Sequence, residues 1–509
     1  PPMRFASKVV TLLPLVLIGM TLFTNSCGMF SKVLQDNQPR ASKTGENVPS
    51  TLASAGLSKL DIDTMPAFVG LAISGGGSRA ANFGAAVMER LDQEGFLKHV
   101  NVISAVSGGA LPASYYVLNR NSKDWSWATL RELIATDFAS KMRWVHLSEL
   151  PGYFLLGKNR SHMMASIFDD VLFNQATFGR LGDGMPRLLI NATVLPGGNQ
   201  ISFTDDYFQS LNSRLDTYPL SLAVAASAAV PGIFHDIPLT SYTQDGNKNG
   251  FVHLADGGIS ENLGLETLLR MAAARAMPNG PPKACFIFLV DAFPGSDRIS
   301  ERRRESERRD LRKFTDFIFD ENYLDAMDTL FARTRIDLLS QINLGRIDLR
   351  DLGYGGDMRR YYPVMTTRLR HDELCELWHI TFPHLVPLLH AFKPDRRPGP
   401  EEYKALSDLS HAVASIKTHW HLTTEGSCDE VTLQNLLYES ARILISEDMV
   451  TLKDARQWFQ EHGMKAERSP QPAAETQNVI STMTGIELGK NTSGRLNGEV
   501  ICKKPSTSK

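Results

Sequence analysis

The chain has 509 residues, enough to bury a large core, and 42% hydrophobic with 22% charged residues excludes a wholly disordered polypeptide. A formal net charge of -2 gives no general attraction to a polyanion, so no nucleic-acid partner is expected. Partners must be argued from local features.

The first such feature is the N-terminus. Arg4 and Lys8 precede an apolar run from Val9 to Phe23, followed by Thr24-Asn25-Ser26-Cys27-Gly28. This is a secretory signal in outline, and it is short for a spanning helix, which needs about 20 apolar residues. Small Ser26 before Cys27 resembles the lipobox of bacterial lipoproteins, in which the cysteine becomes the lipidated first residue of the mature chain. Thr24 stands where a leucine is usual, and Asn25 is more polar than that pattern. An ordinary cleaved signal and an uncleaved anchor therefore stay open beside lipidation of Cys27. Pro1-Pro2 ahead of Met3 points to Met3 as the natural start. The expectation is a bacterial envelope protein with a signal or anchor over 1–27 and a polar linker over 28–66.

The folded part begins with the continuous apolar strand Phe68–Ile73, a glycine turn, and a helix over Ala80–Leu91 whose apolar residues recur at helical spacing. The pattern repeats with a strand Val100–Val106 ending at Ser107 and a helix over Ala110–Leu118. Further buried strands are expected at Arg187–Val194 and Ala284–Val290, with a hairpin-like stretch around Gln200–Phe203. Small helix formers run from Leu222 to Val230. Repeated strand–turn–helix units imply a three-layer α/β/α sandwich with a mainly parallel central sheet.

Texture then changes. Arg298–Lys313 holds eight basic and four acidic residues and leads into an amphipathic stretch, giving a charged helical insertion over 298–345. A solvated face and a membrane-docking surface are both readings of it. One more strand is expected at Leu374–Phe382, closing a main domain over 67–395. Helices over Glu401–Trp420 and Val431–Phe459 form a C-terminal extension, 396–465. Residues 466–509 read as a flexible tail. Cys285, Cys375, Cys428 and Cys502 show no paired spacing that indicates zinc, and their pairing is left open, although Cys285 reads as a buried strand residue. His411, His419 and His421 lack acidic or cysteine companions. No metal and no cofactor are expected.

Three motifs carry chemistry, each at the end of an expected strand. Gly75-Gly76-Gly77 allows positive φ and exposes backbone N–H groups at a helix N-terminus, a nest for a phosphate or a transient oxyanion. Ser107 lies in Ser104-Ala105-Val106-Ser107-Gly108-Gly109, which differs from the nucleophile elbow G-x-S-x-G only in Ala105. Asp256 ends the apolar segment Phe251–Ala255 and opens Asp256-Gly257-Gly258. Taken singly, these are a tight turn, a helix cap and a turn-forming Asp-Gly. Taken together, they supply donors, a nucleophile and a base.

In this conjunction the chain resembles the patatin-like phospholipases. Leu71-Ala72-Ile73-Ser74-Gly75-Gly76-Gly77-Ser78-Arg79-Ala80 is similar to the family's oxyanion loop, Ser107 to its nucleophile, and Asp256-Gly257-Gly258 to its Asp-Gly-Gly/Ala element. Ile190-Asn191-Ala192-Thr193 and Ala225–Phe234 add to the likeness. It departs at Ala80 and Ala105, where glycine is often found. The resemblance implies a serine hydrolase of lipid acyl esters without a cofactor, using a Ser107–Asp256 dyad and the N–H groups of Gly75, Gly76 and Gly77. Arg79 would steady the loop or face a lipid phosphate. Membrane lipid is the implied partner, and the oligomeric state stays open.

Two rivals remain. One is a Ser-His-Asp hydrolase joining Ser107 and Asp256 or Asp291 to His371, His379 or His384. The other is a non-catalytic lipid-binding envelope lipoprotein on the same fold.

Overall fold

The computed structural model describes residues 37–40, 67–143, 159–182, 184–275, 284–293, 322–342, 364–369, 373–385, 392–417, 420–422, 429–468, 486–490 and 496–502. The expected signal and Cys27, the basic stretch 298–313, His371 and His419 lie outside the described residues.

In chain order, β1 (Ala67–Ile73) leads to α1 (Gly77–Gln93), and β2 (Val102–Val106) leads to α2 (Ala110–Asn119). Then come β3 (Arg187–Leu195), β4 (Asn199–Ser202), α3 (Leu220–Ser227), β5 (Ile237–Tyr242), β6 (Lys248–Asp256), α4 (Leu265–Arg275) and β7 (Ala284–Asp291). The later elements are α5 (Asn322–Ile342), β8 (Val364–Leu369), β9 (Glu373–Thr381), α6 (Pro400–Ser415), α7 (Glu430–Leu444) and α8 (Val450–Glu461).

Nine strands form one sheet in the order β8-β9-β7-β1-β2-β3-β6-β5, with β4 pairing β3 off this path. The strands β9, β7, β1, β2 and β3 run parallel. The flanking strands β8, β6, β5 and β4 are antiparallel to their neighbours. The unbroken apolar run of β1 follows from burial on both faces. Val69, Leu71 and Ile73 point into a core shared with Phe83 and Val87 of α1 and Leu433 and Leu436 of α7. Alternate residues Phe68 and Ala72 point the other way, against Leu265 and Leu268 of α4 and Leu339 of α5. This is the expected three-layer sandwich, a mixed sheet with mostly parallel strands between helices.

The C-terminal helices differ from the expectation. α6 stops at Ser415 instead of reaching Trp420, and the expected helix 431–459 is two helices, α7 and α8. Both interruptions coincide with long-range contacts. The carbonyls of Ile416 and Ile445, just past α6 and α7, accept hydrogen bonds from the buried α1 residues Arg79 (2.6 Å) and Arg90 (2.9 Å). Carbonyls at a helix end have no intrahelical partner, and a cation there is favourable. Within the expected flexible tail, Ile486–Lys490 pairs antiparallel with Leu496–Cys502. Cys285 and Cys375, opposite each other on β7 and β9, form a disulfide. Among the described residues, no helix is long and apolar enough to cross a membrane.

Candidate active site

Strand register assembles the site. Ile73 pairs with Ala105, Val106 with Asn191, and Ala192 with Asp256, so β1, β2 and β6 end on neighbouring rungs. β6 runs antiparallel along the upper part of β3, which is why its last residue lands beside the end of β2.

At that point Ser107 has φ 51, the left-handed region that a side chain rarely adopts. The turn aims its hydroxyl off the strand, and Ser107 Oγ donates to Asp256 Oδ2 at 3.1 Å. Both residues are buried. The other carboxylate oxygen, Oδ1, accepts the N–H of Gly258 at 2.8 Å. Burial pushes the Asp256 carboxyl up to about 7, against the opposing pull of the Gly258 N–H and the Ser107 hydroxyl. A carboxyl poised there is able to take and return a proton near neutral pH.

The strained turn is braced by polar groups whose roles the sequence did not reveal. Ser227 Oγ accepts the Ser107 N–H at 2.8 Å and donates to the Asn191 carbonyl at 2.6 Å. Asn191 Nδ2 donates to Ser104 Oγ at 2.8 Å, tying β3 to β2. Thr193 Oγ1 donates to the Asp256 carbonyl at 2.8 Å, tying β3 to β6. Asn191, Thr193 and Ser227 all lie in the two supporting stretches of the family resemblance, which was the only signal available for them.

The glycine loop meets the serine turn so closely that a Cβ on Gly108 would lie 2.1 Å from the Gly77 carbonyl oxygen. Gly76 and Gly77 have φ of 139 and 57 and start α1, where the first N–H groups have no partner in their own helix. Gly75 corrects the expectation of three free donors. Its N–H is donated to the Asn262 carbonyl at 2.9 Å, which leaves Gly76 and Gly77.

Arg79 is also decided by its surroundings. It is buried, with Nε on the Ala292 carbonyl at 3.0 Å and a terminal nitrogen on Ile416. It steadies the loop from behind, and the phosphate-facing role does not fit these contacts.

Of the histidines expected in a triad, the two described ones, His379 and His384, sit elsewhere. His379 Nε2 lies 2.9 Å from Asp291 Oδ2, and Arg335 donates to the same oxygen at 2.7 Å. This cluster belongs to β7, β9 and α5, on the far side of β1 from Ser107. His384 stacks edge-on beside His379, with ring centroids 5.3 Å apart. Ser107 meets Asp256 directly, with no histidine between them. His421 Nδ1 is 3.4 Å from Asp137, and no group of His, Cys, Asp or Glu that would hold a metal occurs among the described residues.

Comparison with known proteins follows the same lines. The family model of patatin-like phospholipases matches residues 71–269. Among solved structures, human GIVD cytosolic phospholipase A2 is similar at 10% identity and TM-score 0.46, covering 81% of this chain and 66% of that one. The same human protein with methyl gamma-linolenyl fluorophosphonate gives 13% identity and TM-score 0.45, covering 81% and 62%. VipD from Legionella pneumophila gives 12% and TM-score 0.25, covering 57% and 62%. The chain thus spans a little under two thirds of the length of these proteins. No curated protein matches it. Over residues 71–269 the chain is therefore similar to the patatin-like phospholipases, and lipid acyl hydrolysis in general is the activity of that family.

Proposed function

We propose that the chain hydrolyses acyl esters of lipids, phospholipids or lysophospholipids among them, through Ser107 and Asp256. The observation that carries this reading is the direct 3.1 Å hydrogen bond from a serine held at φ 51 to a buried carboxylate. Asp256 takes the hydroxyl proton as Ser107 Oγ attacks the ester carbonyl. The oxyanion is held by the N–H groups of Gly76 and Gly77, aided by the positive end of α1. The tetrahedral intermediate collapses to an acyl-enzyme, with Asp256 returning the proton to the leaving alkoxide. Asp256 then takes a proton from the attacking water and returns it to Ser107 Oγ as the acyl–oxygen bond breaks, which releases the acid and restores the dyad.

The test is intact-mass detection of an adduct after fluorophosphonate treatment of the protein and of Ser107→Ala, with turnover of short-chain acyl esters measured in parallel. One adduct on the unaltered protein and none on Ser107→Ala is expected. An adduct that survives the substitution rejects Ser107 as nucleophile. Val9–Phe23 and Ser26-Cys27 support a second part of the proposal, attachment to a bacterial envelope membrane through lipidated Cys27. Metabolic labelling with a radioactive fatty acid, lost in Cys27→Ser, tests it.

A further inference from the structure

The donor missing at Gly75 is taken by a residue that no sequence motif singled out. Asn262 lies six positions past Asp256, in the short loop between the Asp-Gly-Gly turn and α4. That loop is held rigidly. Glu261 is buried, and its carboxylate accepts the N–H groups of Leu263, of Leu265 at 2.8 Å, and of Glu266 at 3.2 Å. Leu263 and Leu265 are fully buried on the α4 side of the sheet. Asn262 itself stays partly accessible between these anchors.

Its carboxamide occupies space that two glycines leave empty. A Cβ on Gly75 would lie 2.2 Å from Asn262 Oδ1, and a Cβ on Gly258 would lie 2.7 Å from the same oxygen. The same point beside Gly75 is 3.2 Å from Ser107 Cβ. One small volume therefore holds the glycine loop, the turn behind the base, the nucleophile and this carboxamide. Among the described residues no hydrogen bond to this carboxamide occurs, while the N–H groups of both glycines it lies against, Gly75 and Gly258, are engaged elsewhere. A carboxamide carries two N–H donors, and turning it about its last torsion presents them without moving the backbone.

Resting on the Ser107–Asp256 reading above, we propose that Asn262 is a catalytic residue whose side-chain amide donates to the ester carbonyl oxygen as it becomes an oxyanion. It thereby replaces the donor that its own main-chain carbonyl removes from Gly75. A neutral donor suits this place, because a permanent cation there would hold Asp256 ionised and weaken it as a base. Anchoring by Glu261 and Leu263 supplies the rigidity that such a donor requires, since an oxyanion hole works by being oriented before charge develops.

The experiment compares the full chain with Asn262→Ala, Asn262→Asp and Ser107→Ala, measuring kcat and KM on a short-chain acyl ester, the rate of fluorophosphonate labelling and Tm. Asn262→Ala and Asn262→Asp should each lower kcat and the labelling rate by about 10²–10³, the usual effect of losing one oxyanion donor, with KM changed less than about threefold. Asn262→Asp keeps the side-chain shape, so its Tm should stay near that of the unaltered protein. Its added negative charge should also move the acid limb of the pH profile to higher pH, which a packing defect does not do. A kcat within about threefold of normal in either variant, or a loss confined to KM, overturns the proposal. Activity persisting in Ser107→Ala overturns the dyad reading instead, so the two failures are told apart.

Discussion

Two buried aspartates end strands of one sheet and behave in opposite ways. Asp256, at the end of β6, has only neutral partners, the Ser107 hydroxyl and the Gly258 N–H, and burial raises it to about 7. Asp291, at the end of β7, is as deeply buried, and burial alone would raise it as well. There the Arg335 charge and the His379 hydrogen bond outweigh burial and hold the carboxyl well below the usual range. Burial sets the cost of a charge, while partners decide whether it is met. The first carboxyl is left free to exchange a proton. The second is locked as an anion that braces the sheet and the segment after β7, where its Oδ1 accepts the Phe293 N–H at 3.1 Å.

The sharpest way to break this comparison is to neutralise each aspartate. Asp256→Asn should reduce kcat by up to about 10⁴, the upper range for a general base, while leaving the fold at least as stable above pH 7. A large fall in Tm together with residual turnover would make Asp256 a structural residue instead. Asp291→Asn should destabilise the fold by about 3–5 kcal/mol, because it leaves the buried Arg335 cation unpaired. Denaturant unfolding measures this, and a loss below about 1 kcal/mol would show that the cluster is not a bonded unit.

Arg79→Lys tests the brace on the other side of the loop. It should cost about 1.5–3 kcal/mol through lost hydrogen bonds to the Ala292 and Ile416 carbonyls, with no change in preference between anionic and neutral lipid head groups. An altered head-group preference would return Arg79 to the substrate.

The smallest effect is in pH. kcat/KM should fall about tenfold per unit below pH 7, as Asp256 gains the proton that disables it as a base. Stability moves the other way. A carboxyl raised from 3.8 to about 7 contributes most below its unfolded value, and that contribution is lost as pH rises through 7. Asp291 has the reverse sign, contributing above its unfolded value and losing that contribution as pH falls toward its depressed folded value. An acid limb centred near pH 4 would show that Asp256 titrates as an ordinary exposed carboxylate.

Much of this was legible in the residues. Apolar runs at 68–73 and 284–290 and the mainly apolar stretch 100–106 marked strands buried on both faces, and Gly75–Gly77, Ser107 and Asp256 each followed an apolar segment. The C-terminal helices were legible as helical but not in extent, because their ends are set by Arg79 and Arg90 reaching from α1 more than 300 residues earlier. The disulfide was not legible either, since Cys285 and Cys375 meet only through the parallel register of β7 and β9.

What the sequence by itself determined is the inventory, meaning which residues carry backbone donors, a hydroxyl and a carboxylate, because those follow from local chemistry and from turns that only small residues permit. Tertiary structure alone decided which of them act together. Strand pairing selected Asp256 over Asp291 for Ser107, a carbonyl from Asn262 took the Gly75 donor away, and distant carbonyls turned Arg79 inward. Each of these is a contact between segments far apart in the chain, set by register and packing, and no pattern within one segment encodes the partner that the fold brings to it.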